Sequence, residues 1–411
     1  MLAWTPPQPV SPPYPSAFLP AIAFTGDGTA LASWGHSRQS AATLGSALAA
    51  RPPGAARFGA VHRLPAAAIA GGAVGYGARR VAVAASDPIP PARRRVRLTV
   101  RLGRAGGTLG TPAFDAVRRD VSRPTLAADA RGDLAFAWFE NRGVHDDRVY
   151  VATRPAGGRF GSPRLIATGQ LRNLTVAVGR RGQLLTVWED FGRLRVRFRG
   201  RTQTLRSEPA FTQRLRARVD AGGRAVVAWD AQAVSSGGDI GTGYVEVAVR
   251  AAGAARFAAA RLLETIPATV PVNGMALAGR RVVWSGWDGA QYAVRSAPIA
   301  GGAVAAVPAA TGAVRVEGAA GDVAVFTRDP YEDAGTVFAA DLSDGSAAQR
   351  LSVAPNAREA AVAVDPRTHA PTVVWVDRPD GRDRIEAATP SPSRRRAAAA
   401  PPSRGTPAGS R

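Results

Sequence analysis

VSRPTLAADARGDLAFAWFE, residues 121–140, runs from a short apolar stretch through a polar turn containing Gly132 into a second apolar stretch that ends in Trp138 and Glu140. The same frame returns in QLRNLTVAVGRRGQLLTVWED (170–190) and TQRLRARVDAGGRAVVAWD (212–230). It also fits AFLPAIAFTGDGTALASWG (17–35), NGMALAGRRVVWSGWDG (273–289) and REAAVAVDPRTHAPTVVWVD (358–377). Two weaker copies complete the set. AAAIAGGAVGYGARRVAVAAS (66–86) has Ala84 or Ala85 at the Trp position, and TGAVRVEGAAGDVAVFTRD (311–329) has Phe326 there. First strands near residues 19, 66, 123, 172, 213, 272, 312 and 359 give eight units, with seven as the alternative if the second copy forms no blade. The spacing is close to the roughly 40–50-residue period of a four-stranded blade.

After each Trp the chain continues through a loop into a third apolar run, as in RVYVATR (148–154), RLRVRFR (193–199) and YVEVAVR (244–250). A Gly turn then leads to a fourth, as in GGRFGSPRLIA (157–167). Short runs with turn signals between them and no sustained helical period describe an all-β meander. Such a sheet cannot bury both faces alone, so neighbours must stack, and a closed ring leaves only short protected edges. The fold expected is an all-β β-propeller of about eight four-stranded antiparallel blades, occupying residues 1–390 as one domain. Its last unit has three strands, ending in RIEAATP (384–390), and the following Arg-, Ala- and Pro-rich segment 391–411 reads as a disordered tail. AWTPPQPVS (3–11) resembles the fourth-strand segments, with Trp4 placed like Phe160 and Pro7 like Pro163. Residues 2–10 are therefore expected to close the ring as the outer strand of the last blade.

Composition narrows the chemistry. There is no cysteine, which excludes disulfides, thiolate metal sites and cysteine nucleophiles. Mean hydropathy is −0.08 and no run approaches a membrane-spanning length, so no membrane insertion is expected. The opening MLAWTPPQPVSPPYPS lacks the features of a secretory leader. All 53 basic residues are Arg, beside 45 Gly and 32 Pro, as a GC-rich genome would encode. The formal charge of +22 favours weak, non-specific contact with polyanions.

The turn-Gly-Trp pattern resembles the repeats of the bacterial sialidase-like and BNR-repeat propellers over roughly residues 2–390. It is a likeness of repeat architecture. Thr25, Asp27, Gly28 and Trp34 come nearest the family's Asp-box, Ser-x-Asp-x-Gly-x-x-Trp, at a different spacing. The resemblance implies an extracellular or cell-envelope location. Sialidase chemistry would need three Arg on a carboxylate, a Tyr–Glu pair and an Asp acid; the one adjacent pair is Tyr331–Glu332, and no catalytic residue is assigned.

Acids recur after the Trp position: Glu140, Glu189 with Asp190, Asp230, Asp288, Asp329 and Asp377. The loops between second and third strands emerge on one face, and that face also carries the long insertions 35–46, 141–148, 230–243 and 328–335. Glu140, Asp190, Asp230, Asp288, Asp329 and Asp377 are thus candidate binding residues there, with turn capping and Arg pairing as their structural alternative. Arg95, Arg97 and Arg101, and Arg195, Arg197 and Arg199, alternate with apolar residues and share one strand face each. They are the polyanion candidates. The repeated Trp residues read as packing between blades. No metal-binding spacing is present among four scattered His, and no cofactor is expected. The function expected is a non-catalytic recognition or scaffold module, a monomer, binding protein or glycan through its loop-bearing face. The alternatives are a sialidase-like glycan hydrolase or lyase and polyanion binding through the Arg-rich strands.

Overall fold

A computed structural model describes residues 2–37, 44–64, 72–89, 94–143, 145–208, 210–234, 240–268, 270–329, 335–354 and 356–391. All regular elements among them are strands, arranged in eight antiparallel sheets taken in chain order. The first strands are Ser16–Phe24, Ala73–Tyr76, Val121–Ala128, Leu171–Gly179, Leu215–Val219, Met275–Ala278, Val314–Ala320 and Arg358–Val364. Each lies against the first strand of the next blade, and the eighth lies against the first, so these strands line a closed ring. The expected β-propeller of eight four-stranded blades is what forms. The weak second copy makes a full blade, with its first strand at Ala73–Tyr76; the start near residue 66 falls in 65–71, outside the described residues. Tail residues 392–411 and the Tyr331–Glu332 pair also lie outside them.

The N-terminus closes the ring as expected. Gln8–Pro9 is the outer strand of blade 8, with Gln8 opposite Ala387 and Pro9 opposite Glu386. The pairing extends in both directions through Thr5 N to Thr389 O at 2.8 Å, Val10 N to Ile385 O at 2.8 Å and Tyr14 N to Asp383 O at 2.7 Å. Asp383 joins the two chain ends. Its fully buried carboxylate accepts the Ala17 amide at 2.8 Å and pairs with Arg358 at 2.6 Å and Arg378 at 2.9 Å. A charge buried this deeply is tolerable only because every partner is present, so removing one would leave the others uncompensated.

Trp side chains set how blades meet. Trp138 packs with Ala82, Ala84, Leu98 and Val100 of blade 2, and Trp229 with Leu185 and Val187 of blade 4. Trp375 packs with Val323 and Val325 of blade 7, and Trp34 with Val374 and Val376 of blade 8 across the closure. Each ring therefore faces the preceding blade. Trp34, Trp138, Trp229, Trp284 and Trp375 are wholly buried, Trp188 nearly so, and Phe326 takes the same place in blade 7. Strand alternation puts Ala85 at that position in blade 2, on the side of Val81 and Val83 that faces blade 1. That interface has the smallest core, and a cavity of about 610 Å³ lined by Leu48, Val61, Leu64 and Leu109 opens along it. There Gly75 brings the first strand of blade 2 against the Phe24 carbonyl, where a Cβ would collide.

Burial of a ring this size contributes a few kcal/mol. Trp138→Ala is expected to destabilise the protein by roughly 3–5 kcal/mol in urea unfolding. A loss below about 1 kcal/mol would show that the ring carries little of the blade 2–3 packing.

Candidate functional site

Strands alternate in direction, so the turns between second and third strands share one face with the connections between blades. First strands are bulged just below this loop-bearing face: register shifts occur at Phe18/Ala21, Ser122/Thr125, Arg172/Leu174, Val316/Gly318 and Arg358/Ala360. Leu19, Asn173 and Glu359 sit in these bulges with φ of 50°, 43° and 46°. A bulge re-aims the side chains that follow it. Here it leaves Leu19 exposed at the rim, with its amide donating to Glu359 Oε2.

Blade 5 departs from this pattern. Its first strand is split into Ala210–Phe211 and Leu215–Val219, both paired with the second strand Ala225–Val234. The break removes the ladder partners of the amides at 212–214, and buried amides need acceptors. Two carboxylates supply them. Glu189 Oε2 accepts Thr212 N at 3.3 Å and Asn173 Nδ2 at 2.9 Å. Asp230 Oδ1 accepts Gln213 N at 3.1 Å and also Arg214 N. Because the acids take neighbouring amides, their accepting oxygens are at most roughly 10 Å apart.

Arg206 stitches this break to blade 4, donating to the carbonyls of Gly192 at 2.9 Å and Ala210 at 3.0 Å. Glu246, which accepts Trp229 Nε1 at 2.8 Å, attracts the same guanidinium. Burial raises Asp230 to about 6, against the amides and charge of Arg214 and the Gln213 amide. Burial likewise raises Glu189 and Glu246 and lowers Arg206. Beside the cluster Phe211 and Phe191 are 41% and 63% exposed, and the Arg172 guanidinium lies 5.1 Å from the Phe211 ring centre. Buried acids, a buried cation and open aromatic faces thus meet at one sector of the rim.

The six candidate acids occupy different settings. Asp230 belongs to this cluster. Glu140 is buried, bridged by Arg118 at 3.3 Å and Arg142 at 3.0 Å, and Asp190 pairs with Arg195 at 3.0 Å. Asp288 caps its own turn through the amides of Ala290 and Gln291, each at 2.9 Å. Asp329 stands at φ 54° with its amide on Ala313 O. Asp377 is buried beside Glu386, which burial pushes up to about 7 against Arg384 and with help from Asp377.

The Arg candidates are also divided. Arg95 lines a rim cavity of about 960 Å³ between blades 2 and 3 together with Arg118, Asp120, Glu140 and Tyr150. Arg97 pairs with Asp115 at 3.2 Å, and Arg101 donates to Gly110 O at 3.0 Å. Arg195 is paired on the loop-bearing face, whereas Arg197 and Arg199 line a cavity on the opposite side. Among the described residues no group of three His, Cys, Asp or Glu is arranged to hold a metal ion. Sequence reasoning missed Arg206, Glu246, Asn173, Thr212 and Phe211. It noted Glu189 without choosing it, although Glu189 and Asp230 share a legible mark: each directly follows its Trp, whereas Glu140 and Asp377 stand two residues after.

No protein-family model and no curated protein matches the sequence. Solved structures do resemble the fold. An α-L-arabinofuranosidase of Fusarium graminearum is 11% identical with a TM-score of 0.44, over 94% of this chain and 96% of that one. A polysaccharide lyase is 10% identical at 0.46, over 92% and 90%, and a prolyl endopeptidase is 13% identical at 0.51, over 88% of this chain and 54% of that one. The expectation of a non-catalytic recognition or scaffold module is corrected here: the arabinofuranosidase and the polysaccharide lyase, each matched over 90% or more of its own length, are glycan-processing enzymes. At such identities the likeness is one of fold, and any chemistry must come from this chain's own residues.

A carboxyl whose folded pKa lies above its ordinary 3.8 binds its proton more tightly when folded. Its stabilising contribution is complete below that value and is lost as pH rises through the folded pKa. Asp230 should therefore make the protein less stable as pH rises from 4 to 6, by a few kcal/mol, and Glu386 should extend the loss towards 7. Melting followed from pH 4 to 8 is expected to show this decline, and Asp230→Asn to flatten its lower half. Equal slopes in the two proteins would contradict the assignment.

Proposed function

We propose that this propeller is a glycan-processing enzyme whose acid–base pair is Glu189 and Asp230. The observation that carries the reading is the placing of these two buried acids on consecutive amides at the break in the first strand of blade 5. The upper limit of roughly 10 Å on their separation leaves room for either spacing of paired carboxyls used in glycoside hydrolysis. Asp230, with its proton held to about pH 6, is the general acid and donates to the glycosidic oxygen as its bond to the anomeric carbon breaks. Glu189, raised by burial and drawn back by the Asn173 and Thr212 hydrogen bonds and by the charges of Arg206 and Arg172, is the partner that in its carboxylate form takes the proton of the attacking water or attacks that carbon itself. Phe211 and Phe191 supply apolar faces for sugar rings. If the substrate is an anionic sugar, as the sialidase-like likeness of the repeat implies, it would meet Arg172 and Arg214 at the same rim.

The test is a panel of soluble neutral and acidic polysaccharides at pH 5–6, with new reducing ends scored for hydrolysis and unsaturated products for elimination. Glu189→Gln and Asp230→Asn should each lower the rate on the accepted glycan about 100-fold or more while the protein stays folded. Phe211→Ala should act mainly on KM. Wild-type rates in both acid variants would refute the pair.

A further inference from the structure

The opposite face, which carries the turns between first and second and between third and fourth strands, holds a second feature that the acid–base pair does not use. Between blades 3 and 4 a cavity of about 410 Å³ is lined by Arg164, Arg181, Arg197 and Arg199, with Thr153 and Gln183 among its polar walls. Between blades 4 and 5 a cavity of about 560 Å³ is lined by Arg201, Arg250 and Arg256. The two flank the single hairpin tip Arg199–Gly200, which joins the third and fourth strands of blade 4. Among the described residues no carboxylate lines either cavity. Asp133 lies close by, near Gly182, and accepts the Ala156 amide at 2.8 Å. The rim cavity on the loop-bearing face also has several Arg, but there Arg118 and Arg142 are neutralised by Glu140.

The backbone at this tip is left-handed. Arg199 and Gly200 have φ of 50° and 81°, a turn in which Asn or Gly is the unstrained first residue, and Arg181 has φ of 66° in the neighbouring turn. The Phe198 ring is covered by two guanidiniums, Arg250 at 4.4 Å and Arg199 at 5.7 Å. Like charges are thus gathered around two cavities, with Asp133 as the nearby acid.

We propose that this underside is an anchoring site for an acidic polysaccharide, whose carboxylate or sulfate groups occupy the two cavities on either side of Arg199–Gly200. Guanidinium forks match such oxyanions. Nucleic acid is disfavoured because no aromatic residue lines the blade 3–4 cavity, and Phe198 and Phe257 in the other are buried, leaving no platform on which bases could stack. The site is independent of the Glu189–Asp230 pair and stands whether or not that pair is catalytic.

The test uses the full chain with three probes, a sulfated glycan (heparin), a uronate glycan (polygalacturonate) and single-stranded DNA, titrated across 50–300 mM salt. Arg181→Gly/Arg199→Gly places Gly where the backbone favours it, so its melting temperature should be unchanged or higher. Its affinity for the acidic glycans should nevertheless fall about tenfold or more, with a salt dependence shallower by about two released ions. Arg101→Ser, in blade 2, should bind as the wild type does. Unchanged glycan affinity in the double variant, an equal loss in Arg101→Ser, or tighter binding of DNA than of either glycan would overturn the proposal.

Discussion

A blade of four short strands has two apolar faces and cannot fold in isolation, and the large ring at the end of each second strand decides how that requirement is met. Trp34, Trp138, Trp188, Trp229, Trp284 and Trp375, with Phe326 in blade 7, project from one face of their strand into the blade before. A repeated contact with a fixed direction yields an array, and closing the array disposes of its two unsatisfied ends. The chain achieves closure by giving blade 8 its outer strand from the N-terminus and by placing Asp383 between Arg358, Arg378 and the Ala17 amide. The rim positions that carry polar chemistry are held in place by this ring.

Much of the architecture could be read from the residues because the packing that creates it repeats. The recurrence of Trp announced the blades, and the missing fourth strand after RIEAATP pointed to the N-terminal segment. The break in blade 5 could not be read in the same way. Arg214, Arg216 and Arg218 alternate with Leu215, Ala217 and Val219 in the manner of an uninterrupted strand, and nothing local shows that pairing lapses at 212–214. The candidate acids were visible but their settings were not, since one step along a strand reverses the face. Glu189 and Asp230 turn to the first strand, whereas Glu140 and Asp377 share the side of their Trp.

The Arg alternation was legible as a shared face, but length separates its members. Four residues of strand span roughly 13 Å, enough to put Arg195 with Asp190 near one face of the ring and Arg199 at a turn on the other. The same strand thereby serves two surfaces. On one, buried acids with raised proton affinity stand beside open aromatic rings; on the other, Arg side chains gather around two cavities.

Closure by the N-terminal strand can be measured directly because the chain has no cysteine to interfere. Gln8 and Ala387 are direct antiparallel partners, and such pairs have Cα separations of roughly 4.5–5.5 Å, within the span of an unstrained disulfide. In the variant carrying Gln8→Cys and Ala387→Cys, mild oxidation should form one intramolecular disulfide, and the oxidised protein should melt several degrees above its reduced form. Failure of the two thiols to pair while the protein remains folded, or identical melting of the two forms, would contradict a ring closed in this way.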